Sequence, residues 1–341
     1  MEKHSHKLSK RNKTVIYLLS GLVVFAVVFV AALIAGRYSI SVPVFFKMLS
    51  GKGYEMERSI VLKLRLPRTI IAALTGIALS LSGLLYQETF QNKLVSPDLL
   101  GVSSGAGVGA AFAILLGLSS VFVSLFAFIF GIITVVITLF IAKVFRNRSS
   151  MILVLAGIIV GGLMSAVLSF IKYLADAETT LASITYWLMG SFENSVMADV
   201  WVLLPIVAVC TVVILLMSWR INIVALGREE AQTRGINYRL YRIVIIAIST
   251  LLTASSVAFA GTISWIGLVV PHIVRLIVGR NTKHTVPLCI VFGATFMVLT
   301  DMFSRCFTAS EIPISAVTGF FGTIIFVVIL FARRKTVSEN D

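Results

Sequence analysis

Residues 64–111 read LRLPRTIIAALTGIALSLSGLLYQETFQNKLVSPDLLGVSSGAGVGAA. Two apolar runs flank a polar connector that carries Pro97. The first run opens on Arg65 and Arg68. The second opens on Gly101, Gly105 and Gly109, four residues apart. A plain membrane anchor needs none of this. The stretch predicts two membrane helices joined by a shaped turn, at the heart of a transport pathway.

Composition sets the class around it. Of 341 residues, 58% are hydrophobic and only 13% charged, with a mean hydropathy of +1.00. A soluble domain carries roughly twice that charge. A β-barrel would show strands of about 10 residues with alternating polarity, and the apolar runs here are long and continuous. The chain therefore reads as an all-α, multi-pass integral membrane protein. The net charge of +14 fits basic residues on cytoplasmic loops better than nucleic-acid binding. Cys210, Cys289 and Cys306 are scattered in or beside apolar segments. They show neither metal spacing nor a disulfide framework, and read as packed thiols. No metal site is expected.

Taken in order, residues 1–13 form a basic cytoplasmic tail and 14–36 a first span. That run is about 23 residues, long enough to cross and too long for the apolar core of a signal peptide. Residues 37–63 form a polar loop with an amphipathic piece at 42–49. Further spans follow at 68–87, 99–117, 120–142, 151–174, 200–219, 243–262, 264–279, 286–304 and 313–332. Ten segments put both termini on one side. Residues 14–332 make one membrane domain, and 333–341 a cytoplasmic tail. Alternating the loops puts 20 of the 29 Lys and Arg inside and 9 outside, as the positive-inside rule expects. Most of the outside excess lies in 37–68, which holds Arg37, Lys47, Lys52, Arg58, Lys63, Arg65 and Arg68.

Gly101, Gly105 and Gly109 share one helix face, as do Gly157, Gly161, Ser165 and Ser169. Such spacing lets helices approach closely where lipid supplies no hydrophobic drive. Pro97 suits the start of a helix. Gln87, Gln91 and Asn92 can satisfy irregular backbone near a membrane edge, either as a tight turn or as a cytoplasmic mouth. Arg65, Arg68 and Arg305 can anchor helix ends to headgroups or steer an acidic partner. Residues 220–242 carry ALGREEAQTRGIN, a locally charge-balanced, helical segment bounded by Gly227 and Gly235. It is too small for its own core. It suits insertion into a partner's groove, with a solvated loop as the alternative. Asp301, four residues before Arg305, can pair with it. No charge sits mid-span, which counts against a proton- or sodium-coupled carrier. No GxxxxGK[ST] loop occurs, so nucleotide hydrolysis is expected on another chain.

In this order the pieces resemble the FecCD/BtuC-type permeases of ABC importers for ferric siderophores, haem and cobalamin. The resemblance covers about 60–332. It is carried by RLPR at 65–68, SGLLYQETFQNKLVSPDLLGVSSGAGVGA at 82–110, LAG at 155–157 and YWLMGSF at 186–192. ALGREEAQTRGIN at 225–237, GLVVPHIVRLIVG at 267–279, and DMFSR with EIP near the end complete it. Departures are Asn92-Lys93-Leu94 for the usual Asn-Pro-Leu, Ser315 for a glycine, and residues 322–326 for Gly-x-Pro-x-Phe.

The resemblance implies a BtuC-like (type II ABC importer) bundle of ten helices, with spans two to five and seven to ten as an inverted repeat. It implies a second permease subunit, a cytoplasmic ATPase dimer that binds ATP and Mg, and an extracytoplasmic binding protein delivering a ferric chelate. This chain would bind no cofactor and catalyse nothing. Arg65, Arg68 and Arg305 would meet the binding protein. Leu226, Gly227, Arg228, Glu229, Glu230, Ala231 and Gly235 would couple to the ATPase. Ser149 and Ser150, with Gln87 and Asn92, would shape the cytoplasmic gate. Ferric siderophore is the first expectation for the substrate, ahead of haem or cobalamin. An ion-coupled transporter and a signalling or structural subunit are the readings from other classes.

Overall fold

The computed structural model describes residues 10–51, 53–145, 150–308 and 310–338. Among these every regular element is helical. The order is α1 (Lys10–Ile34), α2 (Val42–Leu49), α3 (Glu55–Ser59), a π-helical turn (Ile60–Arg65), α4 (Leu66–Thr89) and a 3-10 turn (Pro97–Leu100). Then come α5 (Val102–Leu115), α6 (Ser120–Val144), α7 (Ser150–Leu174), α8 (Thr180–Met189), α9 (Met197–Val224) and α10 (Arg228–Thr233). The last four are α11 (Tyr238–Ala260), α12 (Ile266–Val278), α13 (Thr282–Cys306) and α14 (Ile314–Ser338).

Seven of these helices are long and apolar enough to cross a membrane, and three shorter apolar helices join them. Together they match the ten segments predicted. The amphipathic piece at 42–49 is α2. Two short helices, α3 and α8, were not anticipated. α8 lies in the acidic stretch after α7, where Asp176 accepts from the Thr179 amide (2.9 Å) and hydroxyl (2.8 Å). Those bonds hold its carboxyl below the usual range.

The helix lengths repeat. α4 to α7 have 24, 14, 25 and 25 residues. α11 to α14 have 23, 13, 25 and 25. This is the length pattern of the expected four-helix repeat. Short helices at matching places in two repeats are where transporters handle their cargo.

α4 is the axis of the bundle. Its most apolar window is 89% buried, against 6% for α1. It packs on α9, α11, α12 and α13. Two glycine crossings allow this. A Cβ on Gly76 would sit 2.1 Å from the Gly293 carbonyl oxygen, and one on Gly83 would sit 1.9 Å from that of Gly267. Hydroxyls then bond across the gap: Ser80 Oγ donates to Cys289 O (2.8 Å) and Ser82 Oγ to Ser249 O (2.9 Å). Close backbone approach and polar bonds replace the hydrophobic drive that lipid lacks.

The glycine face of α5 packs as expected. A Cβ on Gly105 would strike Thr134 at 1.9 Å, and one on Gly109 would strike the Phe126 carbonyl at 2.3 Å. The face predicted on α7 holds only at its start. Gly157 lies against the Leu99 carbonyl, but Ser165 and Ser169 are exposed. A step of four residues overshoots a full helical turn by about 40°, so three steps rotate the row by about 120°. The face α7 buries instead follows Gly157, Val160, Met164, Leu168 and Ile171.

Candidate functional site

The loop after α9 folds as a short helix between two glycines. Gly227 has φ 108° and Gly235 φ 71°, values that favour a residue without Cβ. α10 is anchored by Ala231, fully buried with Ile223 and Ile236 and flanked by Tyr238 and Tyr241. Arg228, Glu229 and Glu230 face outward, and Leu226 is 54% exposed at the tip. An apolar tip ringed by charge, fixed on a rigid base, has the shape a partner's groove can receive.

Beside it lies the Gln87 end of α4, which is tied down by a buried polar clamp. Arg275 of α12 donates from Nη2 to Gln87 Oε1 at 2.6 Å, and its Nε is 3.3 Å from Glu88 Oε1. Gln87 Nε2 donates in turn to Val95 O (3.2 Å) and Gly267 O (3.1 Å). The connector is thereby held between α4 and α12. Pro97 packs on the same spot, where a Cβ on Gly267 would sit 2.4 Å from its ring. Arg275 Nη1 finds no acceptor among the described residues, a state that costs about 1–3 kcal/mol for a buried donor. Gln91 takes a left-handed φ of 53°, and a Cβ on Gly227 would sit 3.1 Å from its Nε2. The connector and the α10 loop therefore touch.

The gate residues separate. Gln87 is buried in the clamp. Asn92 is exposed, with Oδ1 accepting from the Leu94 amide at 2.9 Å. Ser149 lies outside the described residues, and Ser150 is the first residue of α7.

Arg65, Arg68 and Arg305 do come together, at the other end of α4, but they do not form an open basic surface. All three are buried. Arg68 donates from Nε to Asp301 Oδ1 (2.7 Å), and from Nη1 and Nη2 to the two oxygens of Glu311 (2.6 and 2.9 Å). Arg65 donates to Leu33 O (2.9 Å), Ile34 O (2.6 Å) and Tyr38 O (2.5 Å). Arg305 donates to the carbonyls of Ala32 and Ala35, with Nε 3.4 Å from Asp301 Oδ2. The α-helical C-terminus of α1 leaves carbonyls without intrahelical donors, and guanidinium groups satisfy them while meeting the negative end of its dipole. In this conformation all three guanidinium groups are held by acceptors within the chain. The predicted Asp301–Arg305 pairing is present.

Sequence reading missed Arg275, Glu88 and Glu311, and the tie between α9 and α13. In that tie Asn222 Oδ1 accepts from the Thr282 amide (2.8 Å) and hydroxyl (2.5 Å), and Asn222 Nδ2 donates to Asn281 (3.0 Å). An arginine in the apolar run GLVVPHIVRLIVG was the available signal, since ionisable groups in such runs need a partner.

The fold is a multi-pass helical bundle with two runs of four helices of like length and a short helical loop standing off one end. The chain belongs to the FecCD transport family, whose model matches residues 23–332, and is an ABC importer permease of the FecCD/BtuC type. It is 35% identical over 324 residues to the molybdate import system permease protein MolB of Haemophilus influenzae, covering 93% of this chain and 96% of that one. It is 34% identical over 275 residues to a Helicobacter pylori protein named "Probable iron chelatin transport system permease protein", covering 81% and 83%. Other relatives are cobalamin or vitamin B12 import permeases. Among solved structures it resembles an inward-facing ABC transporter described as metal-chelate type, with 34% identity and a TM-score of 0.85. That match covers 92% of this chain and 98% of the other.

Proposed function

We propose that this permease carries a ferric siderophore across a bacterial cytoplasmic membrane, with both termini on the cytoplasmic side. ATP and Mg bind a partner ATPase dimer, which grips Leu226 and the charged face of α10. A second permease subunit completes the passage, and an extracytoplasmic binding protein delivers the chelate to the Arg68 end. ATPase closure moves α10, and the permease shifts between states that favour release and reset. No tight substrate site is needed for this, because a cycle requires only different preferences at different steps.

The observation that carries the substrate reading is a double likeness, to a relative named a probable iron chelatin transport permease and to a solved transporter described as metal-chelate type. Molybdate is the second reading, favoured by the Haemophilus relative. Cobalamin and haem follow.

The test is reconstitution in proteoliposomes with the ATPase and the binding protein. Uptake of a ferric hydroxamate, molybdate, cobalamin and haem is then compared. ATP-dependent uptake of the ferric chelate alone is expected. Uptake of molybdate alone overturns the substrate assignment. Ferric uptake that follows a proton gradient without ATP overturns the ATP-driven mechanism.

A further inference from the structure

The Arg275 clamp does more than close a gap between helices. It joins three segments that have different neighbours. Arg275 belongs to α12, one of the two short helices in the repeated units. Gln87 and Glu88 end α4, the axis of the bundle. Through Gln87 the clamp also holds Val95 of the connector, whose other part, Gln91, abuts Gly227. The side chain of Arg275 is 6% exposed and that of Glu88 15%, so water competes little for these bonds. The fork geometry of a guanidinium suits two adjacent acceptors, and an ammonium does not reproduce it.

We propose that Arg275 is a positioning residue of the transport cycle: it locks α4, α12 and the connector into one body, so that displacement of the α10 loop is carried to the short helix α12. This rests on reading α10 as the ATPase-coupling helix. With the clamp intact, the push at Gly227 moves Gln91, Gln87, Arg275 and α12 together. With it cut, the connector moves alone. Arg275 touches no substrate in this scheme and acts through Gln87 and Glu88.

The experiment reads the connector without requiring the substrate. Asn92→Cys is introduced in a Cys306→Ser background, since Cys306 is exposed while Cys210 and Cys289 are buried. The full complex with its ATPase is reconstituted, and maleimide labelling is timed with and without ATP and vanadate. The parent is expected to change its labelling rate with nucleotide by about tenfold. Arg275→Gln is expected to reduce that change to about twofold or less while ATP hydrolysis continues. Arg275→Lys should recover only part of it. A nucleotide-driven change that persists at parental size in Arg275→Gln overturns the proposal, as does a parent whose rate ignores nucleotide.

If Arg275→Gln does not assemble, Glu88→Gln decides. It keeps the size of the side chain, removes its charge and turns one acceptor oxygen into an NH2 donor, so a partial loss supports the proposal and parental behaviour overturns it. Leu226→Asp separates this from the α10 reading. If it leaves ATPase binding and labelling unchanged, α10 is not the coupling helix. If it abolishes both while Arg275→Gln changes nothing, α10 stands and the clamp proposal falls.

Discussion

Arg68 and Asp301 are 233 residues apart in the chain and 2.7 Å apart in space. Their pairing fastens α4 to α13 at the end opposite the Arg275 clamp, and Glu311 takes the other face of the same guanidinium. Breaking a buried pair so that a charge is left unpaired costs about 3–5 kcal/mol. Asp301→Ala leaves Arg68 on Glu311 and Arg305 on the carbonyls of α1, so it should lower unfolding stability in detergent by less, about 1–3 kcal/mol. Arg68→Met strands both Asp301 and Glu311 and should cost more than Asp301→Ala. An Arg68→Met variant no less stable than Asp301→Ala would show that the network matters through some other contact.

The same geometry changes what charge reversal at Arg65, Arg68 and Arg305 should do. A solvent-exposed docking rim would weaken binding-protein association selectively, most visibly at low salt. Buried guanidinium groups that satisfy the carbonyls of α1 should instead destabilise the permease alone. Arg65→Glu and Arg305→Glu are expected to lower unfolding stability with no binding protein present, and with little dependence on ionic strength. Normal stability with a salt-dependent loss of association would support the docking role.

The glycine crossings give a graded test of packing. Gly76→Ala and Gly83→Ala place a methyl within 2.1 and 1.9 Å of facing carbonyl oxygens, and a backbone carbonyl cannot swing aside. Each should cost about 1–3 kcal/mol, the usual range for an overpacked core, with more exposed helix surface detected by hydrogen exchange. Gly162 in α7 has nothing within 4 Å of its virtual Cβ. Gly162→Ala should hold or gain about 0.5–1 kcal/mol through lower backbone entropy in the unfolded chain. Equal losses at all three positions would refute the crossing geometry.

Local pattern made the spans legible: apolar runs of membrane length, Pro97 before a helix, and glycines around ALGREEAQTRGIN that became the ends of α10. The family resemblance drew attention to RLPR, at the start of α4, and to GLVVPHIVRLIVG, which became α12. What it could not supply was the partner of each charge. Arg68 reads as an open basic residue until Asp301 and Glu311 arrive from more than two hundred residues away. Arg275 lies unmarked inside an apolar run, and only the fold brings Gln87 and Glu88 of α4 beside it. The serines of α7 failed for a local reason, since a spacing of four precesses around the helix and cannot stay on one face for three steps. Periodicity reports which face is apolar, whereas long-range pairing decides whether a charge is a surface or a bolt.

The α10 loop offers the sharpest separation between fold and function. Gly227 has φ 108° and ψ 177°, a region essentially closed to residues with a Cβ, where strain runs to about 1–3 kcal/mol. Ala231 holds α10 to the bundle from beneath, while Leu226 stands 54% exposed. The two positions should therefore fail differently. Gly227→Pro forces φ towards about −65°, which should tilt α10 off its base. ATP hydrolysis would continue without uptake, and the membrane helices would keep their unfolding stability. Leu226→Asp leaves the backbone alone and should remove ATPase association itself, read by co-purification of the complex. Gly227→Ala, with the same strain and a smaller displacement, should fall between Gly227→Pro and the parent in the ratio of uptake to hydrolysis. Parental coupling in both glycine variants, with ATPase still bound to Leu226→Asp, would leave α10 as a solvated loop.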